Sequence, residues 1–324
     1  MKKTFIIKVI LIFIIFSSYI CFSKENRYDH EVEFGDSKAK RIIQFSGNGD
    51  LNITGYKGNK VLVSSNENIF KEDEKVNEKA RGLKKIGGGG FNIINNKKEN
   101  IIIISRPIDE NIDLDIKVPN NSILKFGNDA NRQSWGNRNF VGQILSSIFG
   151  GNRPKGPPKD NFIAEIIDNT LGGVFNGILE GDVNIKNFSG IVEVTTVEGN
   201  ITAENIDGEV IASTVDGDIK ITFNKLNKDS TLYFSTVDGD IDITFPKGTN
   251  ADVMARTMEG DVYSGFDGDV IVGKQIDDET ATDEPQNTFN NIFQSNYITT
   301  RLNGGGQKIY LSTVDGNIYL RKGN

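Results

Sequence analysis

One hexapeptide returns through the second half of the chain and constrains its fold more than any other feature. Thr-Val-Glu-Gly-Asn-Ile at 196–201 recurs as Thr-Val-Asp-Gly-Asp-Ile at 214–219 and again at 236–241. It returns as Thr-Met-Glu-Gly-Asp-Val at 257–262 and Thr-Val-Asp-Gly-Asn-Ile at 313–318, with a degenerate first copy at 178–183. Its glycines are Gly181, Gly199, Gly217, Gly239, Gly260 and Gly316, spaced 18, 18, 22, 21 and 56 residues apart. Gly190 and Gly208 fall midway in the first two intervals and give a nine-residue sub-period. A fixed period of this length marks a stacked repeat architecture.

The residues around each glycine alternate. Two positions after it stand Val183, Ile201, Ile219, Ile241, Val262 and Ile318, and four after it Ile185, Ala203, Ile221, Ile243, Ser264 and Leu320. In the last five copies Val192, Val210, Leu232, Val253 and Ile309 stand seven before it, and Val194, Ala212, Phe234, Ala255 and Leu311 five before. Apolar residues at every second position build one buried strand face, because successive side chains point to opposite sides. Each repeat therefore reads as strand, Asp-Gly corner, strand. The glycine supplies a positive φ at little steric cost, and the acid before it favours the turn. The threonine three before the glycine is in phase with the buried face, so an inner threonine ladder is expected.

An Asp-Gly turn is also a hairpin signal, and an antiparallel meander is the competing reading. A meander does not require the whole cycle of inward positions to recur at one phase; a solenoid does, because equivalent residues stack about 4.8 Å apart. The expected fold is all-β: a single-stranded parallel β-solenoid or β-roll with an inserted helical hairpin. The hairpin is expected over 128–172. There Phe140, Val141, Ile144, Leu145, Ile148 and Phe149 keep helical spacing, as do Phe162, Ile163, Ile166 and Ile167 beyond a Pro- and Gly-rich break. It would cap an open end or flank, or else touch a membrane or partner. Residues 66–85 are highly charged and suggest a short surface helix. The domain reading is a signal peptide at 1–23, the first part of the solenoid at 24–127, the insertion at 128–172, and the repeat solenoid at 173–324. The long interval before Gly316 reads as one coil carrying a loop at about 273–306.

The signal peptide rests on Lys2, Lys3 and Lys8, an apolar run from Val9 to Phe16, and Cys21-Phe22-Ser23 before polar residues, with cleavage after Ser23. An uncleaved anchor over Phe5 to Phe22 is interrupted by Lys8 and two serines, and Ile20 is a poor neighbour for a lipidated Cys21. Removing the leader takes the formal charge from −7 to −10 and removes the only cysteine, so the exported chain has no disulfide. An acidic chain without a basic block argues against nucleic acid.

At this point the chain resembles the bacterial putative-adhesin β-strand repeat family. The resemblance is carried by the Thr-Val-Asp-Gly-Asp-Ile repeats, by Asp113-Leu-Asp-Ile-Lys-Val-Pro119 and by Gly306-Gln-Lys-Ile-Tyr-Leu-Ser-Thr-Val-Asp-Gly-Asn-Ile318. It covers roughly residues 41–127 and 173–322. It implies an envelope-associated β-solenoid of unknown function and no catalytic residues.

The chemistry available is thin. His30 is the only histidine, so neither a His-dependent triad nor a zinc site can be built on it alone. Gly87 to Gly90 lacks the ending of a phosphate loop, and Trp135, the only tryptophan, is a poor sugar platform. An enzyme is not expected. The acidic corners remain: Glu180, Glu198, Asp216, Asp238, Glu259 and Asp315 before the glycines, and Asp182, Asn200, Asp218, Asp240, Asp261 and Asn317 after them. Stacked in water, neighbours repel by only about 0.9 kcal/mol, so solvated turns are the first reading. The sharper reading is a calcium ladder on Asp216, Asp218, Asp238 and Asp240. No other cofactor is expected. The expected function is a non-catalytic exported envelope or surface module, periplasmic, cell-surface or secreted, binding an envelope protein or glycan. The alternatives are a sensor that binds a peptide, lipid or protein through 128–172, and a glycan-active enzyme.

Overall fold

The computed structural model describes residues 28–36, 39–67, 69, 90–126, 180–226, 232–266, 268–272 and 298–323. The expected signal peptide, the helical hairpin at 128–172, Trp135 and most of the charged 66–85 segment lie outside the described residues. No helix occurs among the described residues.

The first strands are β1 (Tyr28–Glu33), β2 (Arg41–Ser46), β3 (Leu51–Tyr56), β4 (Lys60–Ser65) and β5 (Asn92–Asn96). Then come β6 (Ile101–Ser105), β7 (Leu114–Pro119), β8 (Ser122–Phe126), β9 (Val183–Lys186) and β10 (Ser189–Thr195). The repeats supply β11 (Ile201–Ser213), β12 (Ile219–Leu226), β13 (Leu232–Ser235), β14 (Ile241–Phe245), β15 (Ala251–Arg256) and β16 (Val262–Ser264). The last are β17 (Gly268–Val272), β18 (Ile298–Leu302), β19 (Gln307–Ser312) and β20 (Ile318–Lys322).

These strands stack into two ladders. One runs β6, β2, β8, β10, the second half of β11, β13, β19, β15, every step parallel. The other runs β7, β3, β9, the first half of β11, β12, β14, β20, β16, again parallel. A coil climbs one ladder strand, turns through the Asp-Gly corner, and continues in the other. The parallel register excludes the meander. The inward side chains form one cluster, with Phe223 of one ladder 6.4 Å from Phe234 of the other, ring to ring. The alternating positions read from the sequence are buried from Val183 to Leu320. They fail only in the outermost coil, where Val262 is half-buried and Ser264 exposed.

Coil order departs from chain order in two places. Asp315 bridges both Asp238 and Glu259, so the coil of β19 and β20 lies between the β13–β14 coil and the β15–β16 coil. At the other end β2 and β3 lie between the β6–β7 coil and the one holding β8 and β9. The 273–306 span is not all loop. Residues 298–302 form β18, which runs antiparallel to both β15 and β17. Antiparallel strands also close the opposite end, where β5 pairs β6 and β4 joins β7 to β1. Reversing direction there covers ladder edges that would otherwise offer a row of open hydrogen-bonding groups.

The second corner of each coil turns differently. Asn187 and Asn205 sit at φ 53° and 57°, with the Asn205 amide donating to Asn187 Oδ1 at 3.1 Å. The mid-interval Gly190 and Gly208 face each other across β10 and β11, which explains the nine-residue sub-period.

Candidate functional site

The Asp-Gly corners stack into three columns along one edge. The glycine column has φ of 121° at Gly181 and Gly199, and 139–144° at Gly217, Gly239, Gly260 and Gly316. A Cβ on Gly239 would overlap the Gly217 carbonyl, and one on Gly316 the Gly239 carbonyl. Glycine is thus required twice, by φ and by the close approach of the neighbouring coil. The expected threonine ladder is present. Thr236 donates to the Gly217 carbonyl at 3.0 Å and to its own corner's Asp238 carbonyl at 3.2 Å. Thr313 repeats this with Gly239 at 3.1 Å and Asp315 at 3.2 Å.

The third column explains the residue after the glycine. The Asn200 backbone N–H donates to Asp182 Oδ1 at 2.8 Å, Asp218 to Asn200 Oδ1 at 2.9 Å, and Asp240 to Asp218 Oδ1 at 2.8 Å. Asn317 continues to Asp240 Oδ1 at 2.6 Å and Asp261 to Asn317 Oδ1 at 3.0 Å. Each side-chain oxygen thereby satisfies a backbone donor that the turn leaves without a ladder partner. Only Asp or Asn has the reach, which is why the position never strays from that pair. Asn200 and Asn317 also donate their amides to the carboxylates of Asp182 and Asp240, both at 3.3 Å, relieving the like-charge run.

The four candidate cation ligands therefore split. Asp218 and Asp240 stand in this hydrogen-bonded column, whereas Asp216 and Asp238 stand before the glycine in an exposed column beside Asp315. The Asp238 carboxyl is held above the usual aspartate range by partial burial and by Asp216, Asp315 and Asp218. Among the described residues, no group of three or more His, Cys, Asp and Glu side chains is arranged to hold a metal ion. His30 lies on β1 opposite Val63, away from the corners.

At the β6–β7 coil the repeat motif is missing and Arg106 takes the corner. It is 4% exposed. Its guanidinium donates to the carbonyls of Gly49, of Gly47 at 2.9 Å and of Ile112 at 3.1 Å. Burial pushes it down to about 10, against the opposing pull of Asp113 and Asp50. It remains a cation at neutral pH and closes the end of the carbonyl column.

Next to the acidic edge, on the outer face of the second ladder, lies an open groove of about 360 Å³. Asp182, Asn200, Asp218 and Asp240 line one side, and Thr202, Lys220, Asp242 and Tyr319 the other. The second set belongs to a single column, the third residue after each glycine, in which Thr202, Lys220, Asp242, Tyr319 and Tyr263 follow one another across five adjacent strands. The Tyr263 and Tyr319 rings are stacked, 5.3 Å apart and 9° from parallel, and Tyr263 is 50% exposed. Arg321 lies over Tyr319 at 5.2 Å and pairs with Asp242 at 2.7 Å. A second open hollow, of about 480 Å³, lies at the far corner between Arg41, Tyr56 and Asn120.

The two tyrosines were not among the residues singled out in the sequence, where the single tryptophan had argued against an aromatic platform. They stand 56 positions apart and meet only because the β19–β20 coil is intercalated. Their shared phase, three after Gly260 and three after Gly316, was the available signal.

Residues 178–321 match the family described as Toastrack DUF4097, in agreement with the adhesin-repeat resemblance carried by the same repeats. Among solved structures, the chain is similar to a putative cell adhesion protein from Clostridium sporogenes ATCC 15579, at 12% identity and a TM-score of 0.43, over 92% of this chain and 99% of that one. No curated protein matches the chain.

Proposed function

We propose that the chain is a non-catalytic, exported envelope or surface module, adhesin-like in role, that presents the outer faces of its solenoid to a binding partner. The observation that carries this reading is the stacking of side chains into continuous outward columns. The parallel coils among the described residues that carry the corner motif show a ligand the same repeat phase again and again, which suits binding along a length rather than chemistry at a point. The corner carboxylates of Asp182, Asp218 and Asp240 are engaged by backbone N–H groups, a structural duty at odds with proton transfer. The Toastrack match over the repeats agrees with this, and the leader sequence supports export.

The test is retention of the exported chain, residues 24–324, on isolated cell envelope, with intact mass checking cleavage after Ser23. Saturable retention is expected. A chain that stays in solution, or that turns over envelope glycan, would sink the reading. A sensor role through 128–172 is the second reading, favoured by where that segment is inserted: the chain leaves β8 at Phe126 and is described again from Glu180, at the corner that leads into β9. Retention lost on deleting 128–172, with the β signal intact, would favour it.

A further inference from the structure

The geometry points to the groove beside the acidic corners, with its Tyr263–Tyr319 platform, as a binding site for a linear β-linked polysaccharide. This rests on the envelope-binding reading and names the ligand class and the site.

Three observations converge. The first is the platform. Tyr319, at the end of the groove, stacks against Tyr263, which stays half-exposed. A half-exposed aromatic ring held flat by a second ring is a surface on which the C–H face of a pyranose can stack. The Tyr263 hydroxyl is fixed by donating to Asp261 Oδ2 at 3.1 Å, so the ring is pre-oriented before any ligand arrives.

The second is the groove that leads away from that platform. Carboxylates, an amide, a hydroxyl and one ammonium line it, the mixture of donors and acceptors that pairs with sugar hydroxyl groups. The third is the repeat. Successive side chains of the column are about 4.8 Å apart, so an extended chain of sugars laid along the solenoid axis meets a new polar group at each rung.

A cationic peptide, drawn by the carboxylates, is the rival occupant, but the groove already holds Lys220 and borders Arg321. Asp242 is already paired with Arg321, whose guanidinium also covers the Tyr319 ring. Lys220 stands in the middle of the groove, and the Oδ1 atoms of Asp182, Asp218 and Asp240 accept backbone N–H groups. What is left open favours a neutral, hydroxyl-rich ligand over an array of ammonium groups.

Isothermal titration of the exported chain with chitohexaose, cellohexaose, xylohexaose and hexalysine tests this. At least one hexasaccharide is expected to bind saturably. Tyr263→Ala should weaken it ten-fold or more at an unchanged melting temperature. Lys308→Ala, exposed on the other ladder, should leave it unaltered. The proposal is overturned if none of the three glycans binds, or if Tyr263→Ala binds as well as the native chain. Hexalysine binding lost in Asp218→Asn with Asp240→Asn would also overturn it and give the groove to a cationic peptide. Envelope retention that persists without glycan binding defeats this site alone; glycan binding without retention defeats the envelope reading instead.

Discussion

Replacing Gly239 by alanine tests the corner at a point where neighbouring coils crowd it. The residue sits at φ 143°, where a side chain adds strain of about 1–3 kcal/mol. The new methyl would overlap the Gly217 carbonyl, which accepts the Thr236 hydroxyl at 3.0 Å. Moving that carbonyl lengthens a buried hydrogen bond, at a further cost of about 1 kcal/mol. The sum, about 2–4 kcal/mol, corresponds to a melting temperature lowered by on the order of 5–15 °C. Gly248 supplies the control, since no atom lies within 4 Å of its would-be Cβ and its φ is not positive. Gly248→Ala is expected to melt with the native chain, and Asp238→Asn to change stability by less than about 0.5 kcal/mol at an exposed site. Thermal melts followed by circular dichroism at neutral pH decide it. If Gly239→Ala melts within two degrees or so of Gly248→Ala, the stacked-glycine account of the corner is wrong.

Three further outcomes follow from other sites. Arg106→Met should destabilise by about 3–5 kcal/mol in urea titration, because it strands three buried carbonyls, and Arg106→Lys should recover only part of the loss for want of a planar fork. The raised Asp238 carboxyl makes the folded chain bind a proton more readily than the unfolded one. Its contribution to stability therefore increases as pH falls from neutral through the raised folded value toward the ordinary aspartate range. The difference in melting temperature between native chain and Asp238→Asn should shrink over that interval. Millimolar calcium should raise the melting temperature no more than sodium at equal ionic strength. A saturable rise abolished by joint Asn substitution of Asp216, Asp218, Asp238 and Asp240 would instead establish a cation ladder.

The repeat unit was legible in the sequence and the assembly of repeats was not. Alternation around each glycine identified Val192, Val194, Ile219 and Ile221 as core, and the phase of Thr236 placed its hydroxyl at the corner backbone. Stacking order was hidden by the repeat itself. Each corner carries nearly the same hexapeptide, so Gly239 can rest on Gly217 and beneath Gly316 or Gly260 with similar contacts. Nothing local distinguishes the two. Chain reversal at the ends is equally invisible, since Ile298 to Leu302 alternates as weakly as a loop would. Arg106 escaped notice because its corner lacks the motif, and an arginine beside the acidic Asp109, Glu110 and Asp113 reads as surface. At the candidate site, the post-glycine acids read as solvent-facing charge, whereas their Oδ1 atoms are backbone caps. That role appears only once a neighbouring coil is set beside them.

The position of the β19–β20 coil bears on how the chain reaches its final form. Its two neighbours, β13–β14 and β15–β16, are joined by five residues, yet they touch it rather than each other. A chain emerging from a pore or a ribosome would offer both neighbours before the piece that goes between them. A slot must therefore stay open, or be reopened, until residues 307–322 arrive. Products that stop short of this stretch would be left with four unsatisfied strand edges, those of β13, β14, β15 and β16, facing a gap. Closure of the stack thus waits on residues 307–322, whichever of the neighbouring coils forms first.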